Sequence, residues 1–264
     1  MSTTPFLDLH SLQTALDARA VAVTLYDTIN STNTAAKAQA TEAAGPALYV
    51  ARTQTGGRGR LGRSFHSPAN TGLYMTVAYT TDKPLTEAVR VTAGAAVAAS
   101  AAVESLTGKD VDIKWVNDLY RSGAKVGGIL TEAVTLGAGL TRMVVGLGIN
   151  LTTTEFPAGL RAPAACLFSP NEAHKATPAL IGTLAGEITR RLLTLTEGGL
   201  WEPACLEAYR RRLLYVGKAV LCTRGNESFE GIVRGVDEDY SLLVDVDGEV
   251  VRLSSGEISI RPVL

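Results

Sequence analysis

The amino-acid sequence predicts an α+β fold in two parts, a helix-and-sheet unit over residues 1–214 and a small β-barrel over residues 215–264. Three observations carry that prediction. Up to residue 214, β-branched alternating runs change places with alanine- and leucine-rich runs of helical period. From about Tyr215 only short alternating runs remain, KAVLCT, SFEGIVRGV, SLLVDVDG, EVVRLSS and EISIRPVL, parted by Gly, Asn and Asp turns as in a five-stranded barrel. The 264 residues are 46% hydrophobic and 19% charged with a formal net charge of −1, which supplies a core but not the basic footprint of a nucleic-acid-binding domain.

In order, LDLHSLQTALDARA (Leu7 to Ala20) spaces Leu9, Leu12 and Leu16 as a short amphipathic helix, and VAVTLYDTI follows as a strand. Ser31, Thr32 and Asn33 then stand before AAKAQATEAA, an alanine-rich helix, so the triplet lies where an N-cap is needed, with members to spare for a ligand. ALYVA and GLYMTVAYT are strands, and Leu85 to Leu106 is a long helix whose small residues suit close packing on a sheet. DIKWVNDLYRSGAKVGGILTEAV reads as two strands joined by RSGA, with Lys114, Asn117 and Asp118 on the first and Lys125 opening the second. RMVVGLGINL is a further strand, and TPALIGTLAGEITRRLLTLTEGG and LWEPACLEAYRRRLL are helices.

Cys166, Cys205 and Cys222 are odd in number and far apart, so they make neither a metal half-site nor a disulfide framework, and a reducing cytoplasm suits them. His10, His66 and His174 are too scattered for zinc. The N-terminus lacks the regions of a signal peptide, and no apolar run is expected to cross a membrane.

Between two of the strands lies the stretch Arg52 to Ser67, in which Arg58, Arg60 and Arg63 stand among Gly56, Gly57, Gly59 and Gly62. Glycines let a backbone approach a ligand closely, and guanidinium forks match phosphate or carboxylate oxygens, so the loop is suited to an anion. Gly57, Gly59 and Gly62 also fit G-x-G-x-x-G, but a dinucleotide fingerprint must open a helix, and Pro68, Asn70 and Gly72 follow instead. The arginines have no obvious partners within the chain, so the loop is expected to move until a ligand binds. A buried lysine without a counter-charge costs several kcal/mol, so Lys125 ahead of Gly127 and Gly128 requires an anion or solvent. Gly146 and Gly148 alternate with apolar residues and leave one strand face bare for a flat ligand, with Asn150 closing the strand.

Four motifs in this order resemble the bacterial biotin protein ligases: STN at Ser31 to Asn33, QTGGRGRLGRSF at Gln54 to Phe65, KWVNDLY with K-VGGIL from Lys114 to Leu130, and GLGINL at Gly146 to Leu151. The family motif often has proline where this chain has Val116 and tryptophan where it has Phe65. The resemblance covers nearly the whole chain. It implies a mixed β-sheet flanked by helices, of the class II aminoacyl-tRNA synthetase and biotin synthetase kind, with a small C-terminal barrel. Only about 20 residues precede the first strand, which resembles the type without an N-terminal DNA-binding domain.

The resemblance further implies an ATP-dependent enzyme that converts biotin to biotinyl-5′-AMP and transfers it to a lysine of a biotin carboxyl carrier protein, the acceptor domain of acetyl-CoA or a related carboxylase. Lys125, Arg58, Arg60 and Arg63 are then the catalytic cations. Biotin contacts fall on Ser31, Thr32, Asn33, Gln54, Arg58, Gly59, Arg60, Lys125, Gly128, Gly146 and Gly148. Phe65, Lys114, Asn117 and Asn150 face the nucleotide, and Asp118 holds Mg²⁺. No DNA partner or membrane is expected, and the chain is a monomer or homodimer. A lipoate or octanoate ligase and a non-catalytic biotin sensor are the rivals; the polar quartet of Ser31 to Asn33 with Gln54, joined to the GRGRLGR loop, favours biotin.

Overall fold

The structure, a computed structural model, describes residues 6–41, 45–160, 162–224, 227–254 and 258–262. Helix α1 (Leu9–Ala15) is capped by Asp8, whose carboxylate accepts from the Ser11 amide at 2.8 Å. Strand β1 (Ala22–Ile29), helix α2 (Thr32–Ala38), and strands β2 (Ala47–Gln54) and β3 (Gly72–Thr81) follow. Of the alanine-rich segment expected to be helical, 42–44 lie outside the described residues. Helix α3 (Ala88–Thr107) precedes β4 (Asp112–Lys114), β5 (Asp118–Arg121), β6 (Ala124–Gly137) and β7 (Leu140–Asn150), and α4 (Pro178–Thr196) and α5 (Pro203–Arg212) close the larger unit.

These strands form one seven-stranded sheet in the order β1-β2-β3-β7-β6-β5-β4. Only β1 and β2 run parallel, so the sheet is mixed. The expected DIKWVNDLY strand is two strands: β4 and β5 pair antiparallel around a corner at Trp115 to Asn117, which turns the chain sharply beside the site. One face of the sheet is buried under α1, α3 and α4, and the other carries α2 on Ala47, Tyr49, Ala78 and Val144. Apolar burial at roughly 25 cal/mol per Å² is the main force behind both layers.

Contrary to the sequence reading, α3 is long and apolar enough to cross a membrane. Its 20 residues are instead a core element: Val91 to Ser100 are all buried, and it packs on α4 and β6. Small side chains let it sit close, and a Cβ at Gly94 would overlap Leu200.

The C-terminal strands are β8 (Ala219–Arg224), β9 (Glu227–Val236), β10 (Leu242–Val246), β11 (Glu249–Leu253) and β12 (Ile258–Pro262). They form an antiparallel sheet in the order β11-β10-β9-β8-β12. The expected barrel is therefore not closed: β11 and β12 lie at opposite edges, and no ladder joins them among the described residues. The sheet docks on the larger unit through Tyr240, whose carbonyl accepts from Trp115 Nε1 at 2.7 Å and whose ring meets Tyr209 edge-on at 5.3 Å. Arg210 adds two donors to the Val236 carbonyl, so the docking face is polar as well as apolar.

Candidate active site

The arginine loop leaves β2 at Gln54 and returns at β3 as a tight hairpin. Arg58 and Ser64 form an antiparallel bridge, the Gly59 amide donates to the Arg63 carbonyl at 2.7 Å, and the Phe65 amide donates to Gly57 at 2.9 Å. A Cβ at Gly57 would run into the Phe65 carbonyl and Ser67, which is why the turn needs glycine there. The expectation that the arginines lack partners is corrected. Arg58 reaches Glu132 at 3.4 Å, and Arg60 donates to Asn117 Oδ1 at 3.0 Å. Burial drives the Arg60 guanidinium below its ordinary value, partly offset by Asp118. Arg63 makes no ion pair among the described residues and lines an open cleft.

Beneath this loop lies a narrow slot, with a cavity volume of about 40 Å³. Its polar end is made by Ser31, Thr32, Asn33 and Gln54, and its walls include Arg58, Gly59, Asn117, Gly128, Gly146 and Gly148. Ser31 occupies the N-cap position of α2 but makes no side-chain capping bond, so its hydroxyl is left over. The others are knitted together. Gln54 Oε1 accepts from the Thr32 amide at 2.9 Å and its Nε2 donates to Ser67 at 2.9 Å, while Thr76 Oγ1 donates to Asn33 Oδ1 at 2.7 Å and lies 2.8 Å from the Thr32 hydroxyl. The bare strand face expected at Gly146 and Gly148 is occupied: Asn33 lies on Gly146 and the Phe65 ring on Gly148, and a Cβ at either glycine would overlap its neighbour.

A cleft of about 590 Å³ adjoins the slot, lined by Arg63, Lys114, Asp118 and Asn150 together with Leu61, His66, Phe156 and Leu160. Phe65 and Lys125 line both cavities. The backbone of Lys125 is fixed on each side, by pairing with Tyr120 on β5 and by hydrogen bonds to Pro163 and Ala165 at 2.8 and 2.9 Å. A bulge between Leu119 and Tyr120 shifts the register there. The Lys125 side chain passes over Gly128 to Asp118 Oδ1 at 2.5 Å. Lys114 Nζ lies 5.5 Å from the Tyr120 ring, and Asn150 donates to the Ala165 carbonyl at 3.1 Å. Asn117 lines the slot rather than the cleft, with its Nδ2 donating to the Ile129 carbonyl at 2.9 Å. Arg60 lines neither cavity and acts on the slot wall through Asn117.

Asp118 offers a hard oxygen donor at the cleft wall. No group of three or more His, Cys, Asp or Glu side chains gathers among the described residues, so a divalent cation here would take few protein ligands and several from phosphate and water, as Mg²⁺ prefers. Sequence reasoning missed Glu132, Thr76, Phe156 and Leu160. Glu132 reaches the slot only because β6 pairs with β7 and brings it under α2.

Residues 25–150 match the model of the biotin/lipoate A/B protein ligase family, and residues 215–261 match the biotin protein ligase C-terminal domain. The chain is 30% identical over 223 residues to the Bacillus subtilis bifunctional ligase/repressor BirA, covering 81% of this chain and 66% of that protein, just under two thirds of its length. It is 28% identical over 216 residues to the Mycobacterium tuberculosis biotin–[acetyl-CoA-carboxylase] ligase, covering 80% and 77% respectively. Among solved structures it is similar to a mutant biotin protein ligase from Aquifex aeolicus in complex with biotin, with a TM-score of 0.74 and 25% identity over 92% of this chain and 99% of that one. With the mixed sheet, the arginine loop over a polar slot and the matching C-terminal unit, the chain belongs to the biotin protein ligase family.

Proposed function

We propose that the protein is an ATP-dependent biotin protein ligase, which forms biotinyl-5′-AMP and transfers biotin to a lysine of a biotin carboxyl carrier protein. The observation that carries this reading is the junction: Phe65 and Lys125 line both the slot and the cleft. A ligand whose neutral head fills the slot presents its other end to Lys125, and a nucleotide in the cleft presents phosphate to the same lysine.

The chemistry needs that junction. A carboxylate oxygen attacks the α-phosphorus of ATP, the bond to the bridging oxygen breaks, and pyrophosphate leaves. Two anions must meet, so a fixed cation between them lowers the barrier. Lys125 supplies a point charge on a rigid backbone, and Asp118 returns it to one position between turnovers. Arg58 and Arg63 offset charge from the loop, and Lys114 and Asn150 face the phosphate and ribose side. Mg²⁺ held at Asp118 would neutralise phosphate charge. In the second step the carrier's lysine amine attacks the acyl carbon, AMP departs with the electron pair of the broken C–O bond, and the amine proton passes to solvent.

The neutral polar end of the slot favours biotin's uncharged ureido head over the bare chain of lipoate or octanoate, which leaves donors unpaired. We assign catalysis to residues 1–214 and a supporting role to residues 215–264, in a cytoplasmic protein. The test is pyrophosphate release with biotin, ATP and Mg²⁺, against lipoate in a parallel tube. Release with biotin and a biotin-sized mass gain on an added carrier domain is expected; release with lipoate alone would overturn the substrate, and none with either would leave a sensor.

A further inference from the structure

Glu132 belongs to none of the sequence motifs, yet its carboxylate meets two residues that line the slot, Asn33 and Arg58, together with Lys37 on α2. Its Oε2 accepts from Asn33 Nδ2 at 3.0 Å, and its Oε1 accepts from Lys37 Nζ at 2.7 Å and faces Arg58 at 3.4 Å. The Glu132 side chain is only 19% exposed. Burial alone would raise its pKa, but hydrogen bonds from Lys37 and Asn33 and the nearby Lys37 and Arg58 charges outweigh it and hold the carboxyl below its ordinary value.

We propose that Glu132 is a positioning residue for the slot, fixing Asn33 as its wall and tethering Arg58 over it before any ligand arrives. Both N–H groups of Asn33 are spent, on the Leu130 carbonyl at 3.2 Å and on Glu132, and its Oδ1 accepts from Thr76. Asn33 is therefore part of the frame. Among the polar quartet, Ser31 and the second Gln54 N–H remain for a ligand. An isolated exposed ion pair would contribute little, but a carboxylate sunk among three donors holds each in one geometry. The tether ties the loop to β6 on one side while Arg60 and Asn117 tie it on the other.

The affinity arm of the test rests on the slot being the biotin site; the exchange arm does not. In ligand-free Glu132→Gln, amide exchange across Gly57 to Ser64 is expected to quicken about tenfold, because the Arg58 tether loses its charge while the Asn33 acceptor survives. Biotin affinity falls about tenfold while the ATP KM stays within about two-fold, the signature of positioning lost in the slot alone. Lys37→Met, which leaves Asn33 and Arg58 on the carboxylate, keeps wild-type exchange in the loop. Should Glu132→Gln fold poorly, Arg58→Gln removes the other end of the tether and gives the same rise. Unchanged exchange in both variants would overturn the proposal, as would a Lys37→Met that reproduces Glu132→Gln. A rise in exchange in a protein that binds no biotin would sustain the tether and refute the assignment of the slot.

Discussion

The slot and the cleft meet at two residues and are built on opposite terms. At the slot, the lining residues Thr32, Asn33 and Gln54 are held by bonds among themselves and to Thr76 and Glu132 behind them, around a narrow cavity of about 40 Å³. In the cleft, Arg63, Lys114, Asp118 and Asn150 border about 590 Å³. A network satisfied in advance loses little freedom on binding but tolerates few shapes, whereas an open charged cleft accepts a larger anion and gains its order from it. On the proposed function, the slot sets the identity of the acid and the cleft brings the nucleotide.

The largest effect expected at the junction is that of Lys125→Ala, which should lower pyrophosphate release by about 10²- to 10³-fold through loss of transition-state charge. Circular dichroism should show the fold intact; near-normal release would remove Lys125 from the chemistry. Next, Gly146→Ala pushes Asn33 off β7 and should weaken biotin by about 2 kcal/mol, the scale of an overpacked site. The ATP KM should hold, and equal changes in both would erase the division between slot and cleft. The converse, Lys114→Met, should raise the ATP KM about tenfold and leave biotin calorimetry unaltered.

The smallest effect is in pH. Glu132 has a carboxyl pKa below the ordinary 4.5 in the folded protein, so its contribution is fully present above that value and is lost as pH falls through the depressed one. Biotin affinity should therefore be flat from about pH 8 to 5 and decline in stronger acid, and the decline should vanish in Glu132→Gln. Outside both cavities Glu172, brought to about 2 by Lys109 and Lys175, supports the 3-10 turn at Pro170–Lys175 by the same sign, losing its contribution as pH drops from 4.5 toward 2. Glu172→Gln should flatten the melting temperature there without touching biotin binding.

The cleft and the arginine loop were legible because their chemistry is local: glycines beside arginines, and Lys125 ahead of Gly127 and Gly128, stand out along the chain. The frame of the slot was not. Glu132 sits in LTEAV, an ordinary strand, and meets Asn33 and Lys37 across 99 and 95 positions only once β6, β7 and α2 are assembled. Arg142, near the start of β7, is likewise fully buried, donating to the Gly45 carbonyl at 2.8 Å, a partner 97 positions away that only the fold supplies. Strand count in the C-terminal unit could be read from turns, but closure depends on whether β11 and β12 pair, which alternation does not encode. The same limit applies to the corner at Trp115 to Asn117, where the segment DIKWVNDLY reads as one strand and hides a change of direction, with Trp115 held from outside by Tyr240.

Pyrophosphate release by the wild-type protein, measured with biotin and ATP each alone and then together in the presence of Mg²⁺, tests the central claim directly. Slot and cleft meeting at Lys125 require release only when both are filled, and its loss in Lys125→Ala. Release from ATP without biotin, or undiminished release in that variant, would contradict the account.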